Sequence, residues 1–347
     1  MTKISANVIA DSKNPFGQRL TTVVVTIPRF ILAELNTHRM MSRNSASSRA
    51  IPFEKMIKSV DETPFMPMAW QQDHKGMQGS HYFTEEGDIK ILEHNWLAAK
   101  AEAVHSAKKL AVGNGTVELT KQLCNRLLEP YMWHTVIITA SEWTNFFALR
   151  CPKYQFEIDG PVFRSRKDLI DQYCGDDNDL RAEFESYSVL EWCQMNKGQA
   201  EIHMMELAEQ IWDAMNESTP KELEVGEWHI PFGDKMDTGK VMEYFDKNGF
   251  SHMTNVDYQN AFIKIATARC ARVSYTVVGE EGKEPNYEND IKLHDNLLKA
   301  GHMSPFEHIA QVMHSGSYYG VIGGAWSGNF KGFIQYRKTL PGENITN

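Results

Sequence analysis

Cysteine is scarce in this chain and spaced for no scaffold: Cys124, Cys151, Cys174, Cys193 and Cys270 form no Cys-x-x-Cys pair and are odd in number. That excludes a fully paired disulfide framework and a structural zinc, and suits a reducing compartment. Long apolar runs are also lacking. No stretch reaches the roughly 18 residues that a membrane span requires, and Met1-Thr2-Lys3-Ile4-Ser5 has no signal-peptide apolar region, so a cytoplasmic protein without a membrane partner is expected. GxGxxG, Walker and GxSxG loops are absent, so any nicotinamide or flavin is not held on a Rossmann unit. Positive charge is in deficit, 36 Lys and Arg against 45 Asp and Glu, for a net charge of −9. This disfavours long nucleic acid, whose affinity comes largely from phosphate neutralisation, but leaves room for a mononucleotide or dinucleotide in a local basic pocket. What is present, 347 residues with 42% hydrophobic and 23% charged, suits a globular chain able to bury a large core as one domain or two.

Against that acidic background, residues 37–49 (Thr-His-Arg-Met-Met-Ser-Arg-Asn-Ser-Ala-Ser-Ser-Arg) hold three arginines, a histidine, four serines and an asparagine without one acid. Arginine forks bind phosphate through paired charge-assisted hydrogen bonds, while serine and asparagine suit ribose or ring heteroatoms. The plainer reading is a basic loop matched by acids elsewhere in the fold.

The β-branched run Arg19–Ile27, stopped by Pro28, predicts a strand. A short helix is expected over 30–40, extended chain over 47–52 before Pro52, and a long loop over 62–82. Helices are predicted over 88–111, 116–128, 141–150, 198–216, 257–271 and 287–300, with a strand over 134–140 and a short extended piece over 227–231. Ile202, Met205, Ala208, Ile211, Trp212 and Met215 recur at helical spacing and read as core. Gly301 caps the helix before it. Residues 152–196, polar and turn-rich, read as an insertion.

Three further clusters carry chemistry-bearing residues. Gly301-His302-Met303-Ser304-Pro305-Phe306-Glu307-His308 invites a metal reading, but Pro305 interrupts any helix and the histidines are six apart, so no metal site is expected. Asn145–Arg150 pairs in character with Gly198–Ile202, although an arginine at a helix end also simply complements the dipole. Cys151, beside Arg150 and Lys153, is the one cysteine in an electropositive setting, though an inert role is the commoner one.

Together these clusters resemble the flavin-dependent (alternative) thymidylate synthases. The family signature of Arg-His-Arg, then Ser, Asn, Ser and Arg, is matched by Thr37-His38-Arg39, Ser42, Asn44, Ser47 and Arg49. Residues 301–308 resemble its GHx[ST]PFEH segment, and Ala268–Tyr275 the helix and turn before it. Asn145–Arg150 with Gln199–Ile202 is similar to its NFxxLR…AQxEI helix, and Arg126–Pro130 to its substrate-contacting arginine segment. The order differs: here the GHMSPFEH segment follows the arginine motif by some 250 residues, which implies a circularly permuted chain whose start and residues 301–315 meet in space. Three positions depart from the pattern: Thr37 replaces the first arginine, Ser45 an acid and Glu34 a glutamine, with Arg43 available as a compensating charge.

The resemblance implies an α/β fold of the thymidylate synthase-complementing type, an antiparallel sheet flanked by long helices, in a homotetramer with intersubunit active sites. It implies FAD, with NADPH and methylenetetrahydrofolate as co-substrates, and reductive methylation of dUMP at C5 to dTMP. His38, Arg39, Asn44, Asn145, Ser304 and Glu307 would contact flavin. Glu34, Ser45, Ser47, Arg49, Arg126 and Arg150 would hold the nucleotide, with Arg150 drawing electron density to the pyrimidine carbonyl. No protein nucleophile is implied, and the Pro-Cys-His motif of conventional thymidylate synthases is missing. Rival readings are methylation or hydroxymethylation of another pyrimidine nucleotide such as dCMP, a non-catalytic flavin or nucleotide binder, and a nucleic-acid-binding module.

Overall fold

Residues 19–28 form the strand around which the chain is organised. The computed structural model describes residues 3–45, 47–48, 51–75, 79–111, 118–247, 254–273, 286–314 and 326–342. It is an α/β structure with antiparallel-rich sheets. Its first half runs β1 (Ser5–Lys13), β2 (Arg19–Pro28), α1 (Leu32–Leu35), β3 (Ser42–Ser45), α2 (Phe53–Glu62), α3 (Glu86–Ala111), α4 (Lys121–Cys124), β4 (Trp133–Ala140) and α5 (Thr144–Arg150). Then come α6 (Arg166–Tyr173), α7 (Asn178–Glu185), α8 (Val189–Met195), α9 (Ile202–Glu217), β5 (Lys221–Glu222) and β6 (Trp228–His229). The chain continues through α10 (Thr238–Lys247), α11 (Asn255–Arg272), α12 (Tyr287–Lys299), β7 (Ala310–Val312), β8 (Trp326–Ser327), β9 (Phe330–Lys331) and β10 (Phe333–Gln335). Among the described residues no helix is long and apolar enough to cross a membrane.

The main sheet has the order β3-β4-β2-β1-β5, antiparallel except for the short β1–β5 pair. Alternation along β2 and β4 sends Val23, Val25, Ile27, Val136 and Ile138 to one face, where Phe146, Phe147, Leu207, Ala208 and Ile211 of α5 and α9 cover them. Ile137 points to the other face and packs with Ile265, Ala266 and Ile309. Thr22 and Thr139 share that second face and are fully buried, so their hydroxyls need partners. They find them in an unbroken chain: Ser12 Oγ to His229 Nδ1 (2.8 Å), His229 Nε2 to Thr22 Oγ1 (2.7 Å), Thr22 to Thr139 (2.7 Å), and Thr139 to His308 Nδ1 (2.8 Å). This polar seam ties the main sheet to a second sheet, β10-β7-β6.

The predicted strands over 19–27 and 134–140 lie within β2 and β4, and the long helices fall within a few residues of expectation. Gly301 has φ +73° and closes α12, with His302 N–H on Leu297 O and Gly301 N–H on Leu298 O. The apolar stripe of α9 is wider than read, because Met204 and Leu207 are also fully buried; Ile202 and Met205 turn toward Tyr82 and Cys193 instead of the sheet. The expected helix over 30–40 shrinks to a 3-10 turn and α1, and that over 116–128 to α4 and a 3-10 turn, Asn125–Tyr131. Several elements are missed, β1, β3, α2, α10 and the short strands β5 and β7 to β10 among them. Strands β1 and β3, polar and short of β-branched residues, exist through pairing with β2 and β4; α2 buries Met56, Ile57 and Val60.

Residues 152–196 form α6, α7 and α8 around Tyr154, Phe163, Leu169, Phe184 and Trp192. They are fastened to α9 by Arg166, which donates to Glu206 (2.6 Å) and Glu209 (2.8 Å), and by Tyr154 Oη, which donates to Glu209 (3.0 Å).

The seam makes stability depend on pH. Burial lowers His229 from 6.5 to about 4 and His308 from 6.5 to about 3, and burial with Arg29 lowers His134 to about 3. Below 6.5 the unfolded chain binds protons that the folded chain refuses. The histidine contribution is therefore complete above 6.5 and is lost as pH falls through about 4. Urea midpoints will stay level from pH 7.5 to 6.5 on this account and fall from 6.5 to 5; a flat profile below 6.5 would contradict neutral, hydrogen-bonded histidines in the core.

Candidate functional site

The turn after α1 is held by carbonyls that serve backbone and side chains at once: Glu34 O, Leu35 O and His38 O accept from the Thr37, His38 and Met41 N–H groups. Thr37 Oγ1 donates to Glu34 O (2.7 Å), and one nitrogen of the Arg43 guanidinium donates to both Leu35 O and His38 O (2.8 Å each). These i to i+3 backbone bonds tighten the chain after α1, the side-chain donors brace the turn, and the chain then runs out as β3 along β4, Ser42 opposite Thr139 and Asn44 opposite Ile137. Arg43 is thus spent inside the fold and does not replace the arginine lost at Thr37.

Against this turn lies α5, which leaves the C-terminal end of β4 and carries Arg150 in its last turn. Arg150 Nε donates to His38 Nε2 (3.0 Å), Nη1 reaches Glu34 (3.4 Å), and Nη2 reaches Thr37 Oγ1 (3.5 Å). A guanidinium has no acceptor, so His38 Nε2 carries its lone pair here and the ring is neutral. Burial, then Arg150, then Arg43 lower the His38 pKa. Glu34 is raised by burial and by Glu201, against the pull of Arg150. Glu201 itself is the N-cap of α9, accepting from the His203 and Met204 N–H groups and from His203 Nδ1. Between turn and helix opens a cleft of about 540 Å³, walled by Thr37, His38, Arg39, Asn145, Leu149 and Arg150. Its size is ordinary for a small-molecule site, and exposed Arg39 and Asn145 furnish donors at its wall.

The remaining expected site residues fall into two neighbouring groups. In one, Ser304 Oγ lies 3.1 Å from Asn44 Oδ1 and 3.1 Å from Arg43 O, and Asn44 Nδ2 donates to Cys270 O (2.9 Å). Glu307 follows and pairs with Arg337. Arg43 joins this group to the cleft, through its carbonyl on one side and its guanidinium on the other. The arginine motif and the GHMSPFEH segment therefore meet within one chain. In the other group, Glu129 gathers Ser48 Oγ (2.5 Å), Arg126 (3.6 Å) and Arg29 (3.7 Å), while Asn125 Nδ2 holds the carbonyls of Ser48 and Ile51. Ser45 is half-buried in β3 and Ser47 half-buried next to Ser48; Arg49, Ser274, Tyr275 and Gly76–Gln78 lie outside the described residues.

Cys151 is not a nucleophile here. It is buried, and burial drives its thiol pKa well above the usual value. His302 is exposed whereas His308 is wholly buried on Thr139, so the two histidines face different surroundings. Sequence reasoning missed Arg29, Glu129, Gln335 and Arg337. The Arg126–Glu129 spacing was visible as an i, i+3 pair, but nothing local marks an arginine that reaches back 30 residues to Glu307.

The proton position on His38 is measurable. In an NMR pH titration His38 will titrate below 6.5, and Arg150→Met will move it upward by removing a nearby cation. An unchanged titration would show that Arg150 does not face the ring.

No family model matches the chain, and no curated protein matches it either. Among solved structures, a UMP/dUMP methylase, PolB, from Streptomyces cacaoi bound with 5-Br UMP is similar at 13% identity and a TM-score of 0.39, covering 62% of this chain and 89% of that one. The same methylase bound with 5-Br dUMP is similar at 12% identity and a TM-score of 0.36, covering 54% and 97%. Likeness of this degree assigns neither family nor activity.

Proposed function

We propose that this chain is a nucleotide-methylating enzyme of the flavin-dependent thymidylate synthase type, converting dUMP to dTMP with FAD, NADPH and methylenetetrahydrofolate. One observation carries the reading. Ser304 and Asn44, 260 residues apart, are bonded side by side, and both belong to the motifs that the resemblance assigns to one site. His38 and Arg150, 112 residues apart, repeat the pattern in the cleft.

The donors fit a flavin nucleotide in kind. Arg39 is exposed and, among the described residues, pairs with no acid, as a phosphate contact needs to be; Asn145 and neutral His38 offer groups for ring heteroatoms. When bound, the flavin supplies the carbon- and hydride-handling chemistry. The chain's own work is to bind, orient and polarise. Arg150 keeps its Nε on His38, while its longer contacts to Glu34 and Thr37 are weak enough for a pyrimidine carbonyl to replace. A guanidinium held there stabilises negative charge on that oxygen and makes C5 nucleophilic. The Ser47–Arg49 stretch and Arg126 supply the nucleotide's anion contacts. The permuted chain order, the role of 152–196 as an insertion, a homotetramer with intersubunit sites and a cytoplasmic setting belong to the same proposal.

A second reading rests on Glu34. A carboxylate where the family has an amide accepts hydrogen bonds only, which favours the amino group of a cytosine. Mass analysis of the product formed from dUMP and dCMP in competition, with FAD, NADPH and methylenetetrahydrofolate, separates the two. A methyl gain on dUMP is expected; reaction at dCMP or a hydroxymethyl product would transfer the assignment to the second reading, and no product would remove both. Arg150→Ala will retain flavin and lose about a hundredfold or more in turnover.

A further inference from the structure

The C-terminal residues 326–342 lie outside the resemblance, yet they enter the junction between its two signature segments. Gln335, 2% exposed, donates to Ser42 Oγ (2.9 Å) and to Asn329 Oδ1 (2.9 Å), and Ser42 Oγ donates to Asn329 Oδ1 (3.1 Å). Two residues on, Arg337 Nη1 donates to Glu307 Oε1 (2.5 Å). Both partners are about three-quarters shielded, with side-chain exposures of 29% and 24%. The turn that carries Glu307 lies against the strand that carries Arg43: Ser304 Oγ donates to Arg43 O (3.1 Å), and Gln335 Nε2 donates both to Glu307 O (3.4 Å) and to Ser42 Oγ (2.9 Å). Beside burial and the repulsion of Arg39, the Glu307 charge acts on Arg43. Among the described residues Arg337 is the one bonded to that carboxylate; Arg43 holds Leu35 O and His38 O instead.

We propose that Arg337 is a positioning residue of the site: by occupying Glu307 it leaves Arg43 free to hold the Thr37–His38–Arg39 turn that walls the cleft. A guanidinium on a carboxylate adds the attraction of opposite charges to its hydrogen bonds, which a guanidinium on a backbone carbonyl lacks. With Arg337 removed, Glu307 draws the Arg43 guanidinium off the two carbonyls. The turn then loses its side-chain brace, and Arg39 and His38 lose their fixed places. The C-terminal segment therefore sets the geometry of a cleft it does not line.

The flavin arm of the test rests on the proposed function; the hydrogen-exchange arm does not. In full-length apo protein, Arg337→Gln will speed amide exchange over 35–41, Arg337→Lys will restore much of the protection, and Glu307→Gln/Arg337→Gln will restore it as well, because no carboxylate remains to compete for Arg43. Flavin binding followed by absorbance and fluorescence will be roughly tenfold weaker in Arg337→Gln, the scale of one lost charged hydrogen bond. Wild-type exchange rates over 35–41 in Arg337→Gln would overturn the inference, as would a double variant no better protected than the single one. If Arg337→Gln does not fold, a folded double variant supports the proposal and an equally unfolded one overturns it. If wild type itself binds no FAD, the functional reading fails while the exchange measurements still decide this one.

Discussion

The two-sided pairing of β2 is the constraint on which the rest depends. Its residues are hydrogen-bonded along the strand to β1 on one edge and to β4 on the other, so neither edge is open to water. Both faces are buried as well, Val23, Val25 and Ile27 beneath the helices and Thr22 against His229 of the second sheet. The outer edge of β4 is then the place left for β3, and the polar Ser42–Ser45 stretch becomes a strand because that edge supplies its partners. The arginine motif is carried to its position by this pairing. Helix α5 leaves the same strand, which brings Arg150 to the motif.

The second face of the sheet shows the cost of placing threonines in a core. Thr22 and Thr139 are completely buried, and a buried hydroxyl without a partner costs about 1–3 kcal/mol. His229 and His308 meet that need in a chain whose hydroxyl protons run in one sense or the other as a set. His308 Nε2, at the end of the chain, has no hydrogen-bond partner among the described residues. The same contact seats the turn that begins at Ser304 beside Asn44, so the structural seam and the candidate site share one segment.

Charge in the site is matched locally, although the chain as a whole is acidic. Arg150 has Glu34, Arg337 has Glu307, and Arg29 and Arg126 share Glu129. Arg43 departs from that rule, with backbone carbonyls as its partners, and Arg39 is left exposed. A basic stretch without acids is therefore neither a uniformly solvated loop nor a uniform anion site. Part of it is an internal brace and part is available to a ligand.

What the sequence determined by itself were the features with local causes. The β-branched run of β2, the period of α9 and the left-handed Gly301 follow from propensity, spacing and steric freedom, and each is legible in a few residues. The motif residues His38, Arg39, Asn145 and Arg150 were legible as types, and the fold collects them in one cleft. The tertiary structure alone decided which arginine is a brace and which is exposed, because Arg39 and Arg43 differ only in the carbonyls and carboxylates brought near them. It also decided that β1 and β3 are strands, that Cys151 is inert, and that Arg337 reaches Glu307. Each of these depends on a neighbour remote in sequence, and hydrogen bonding and desolvation act on distance in space rather than along the chain.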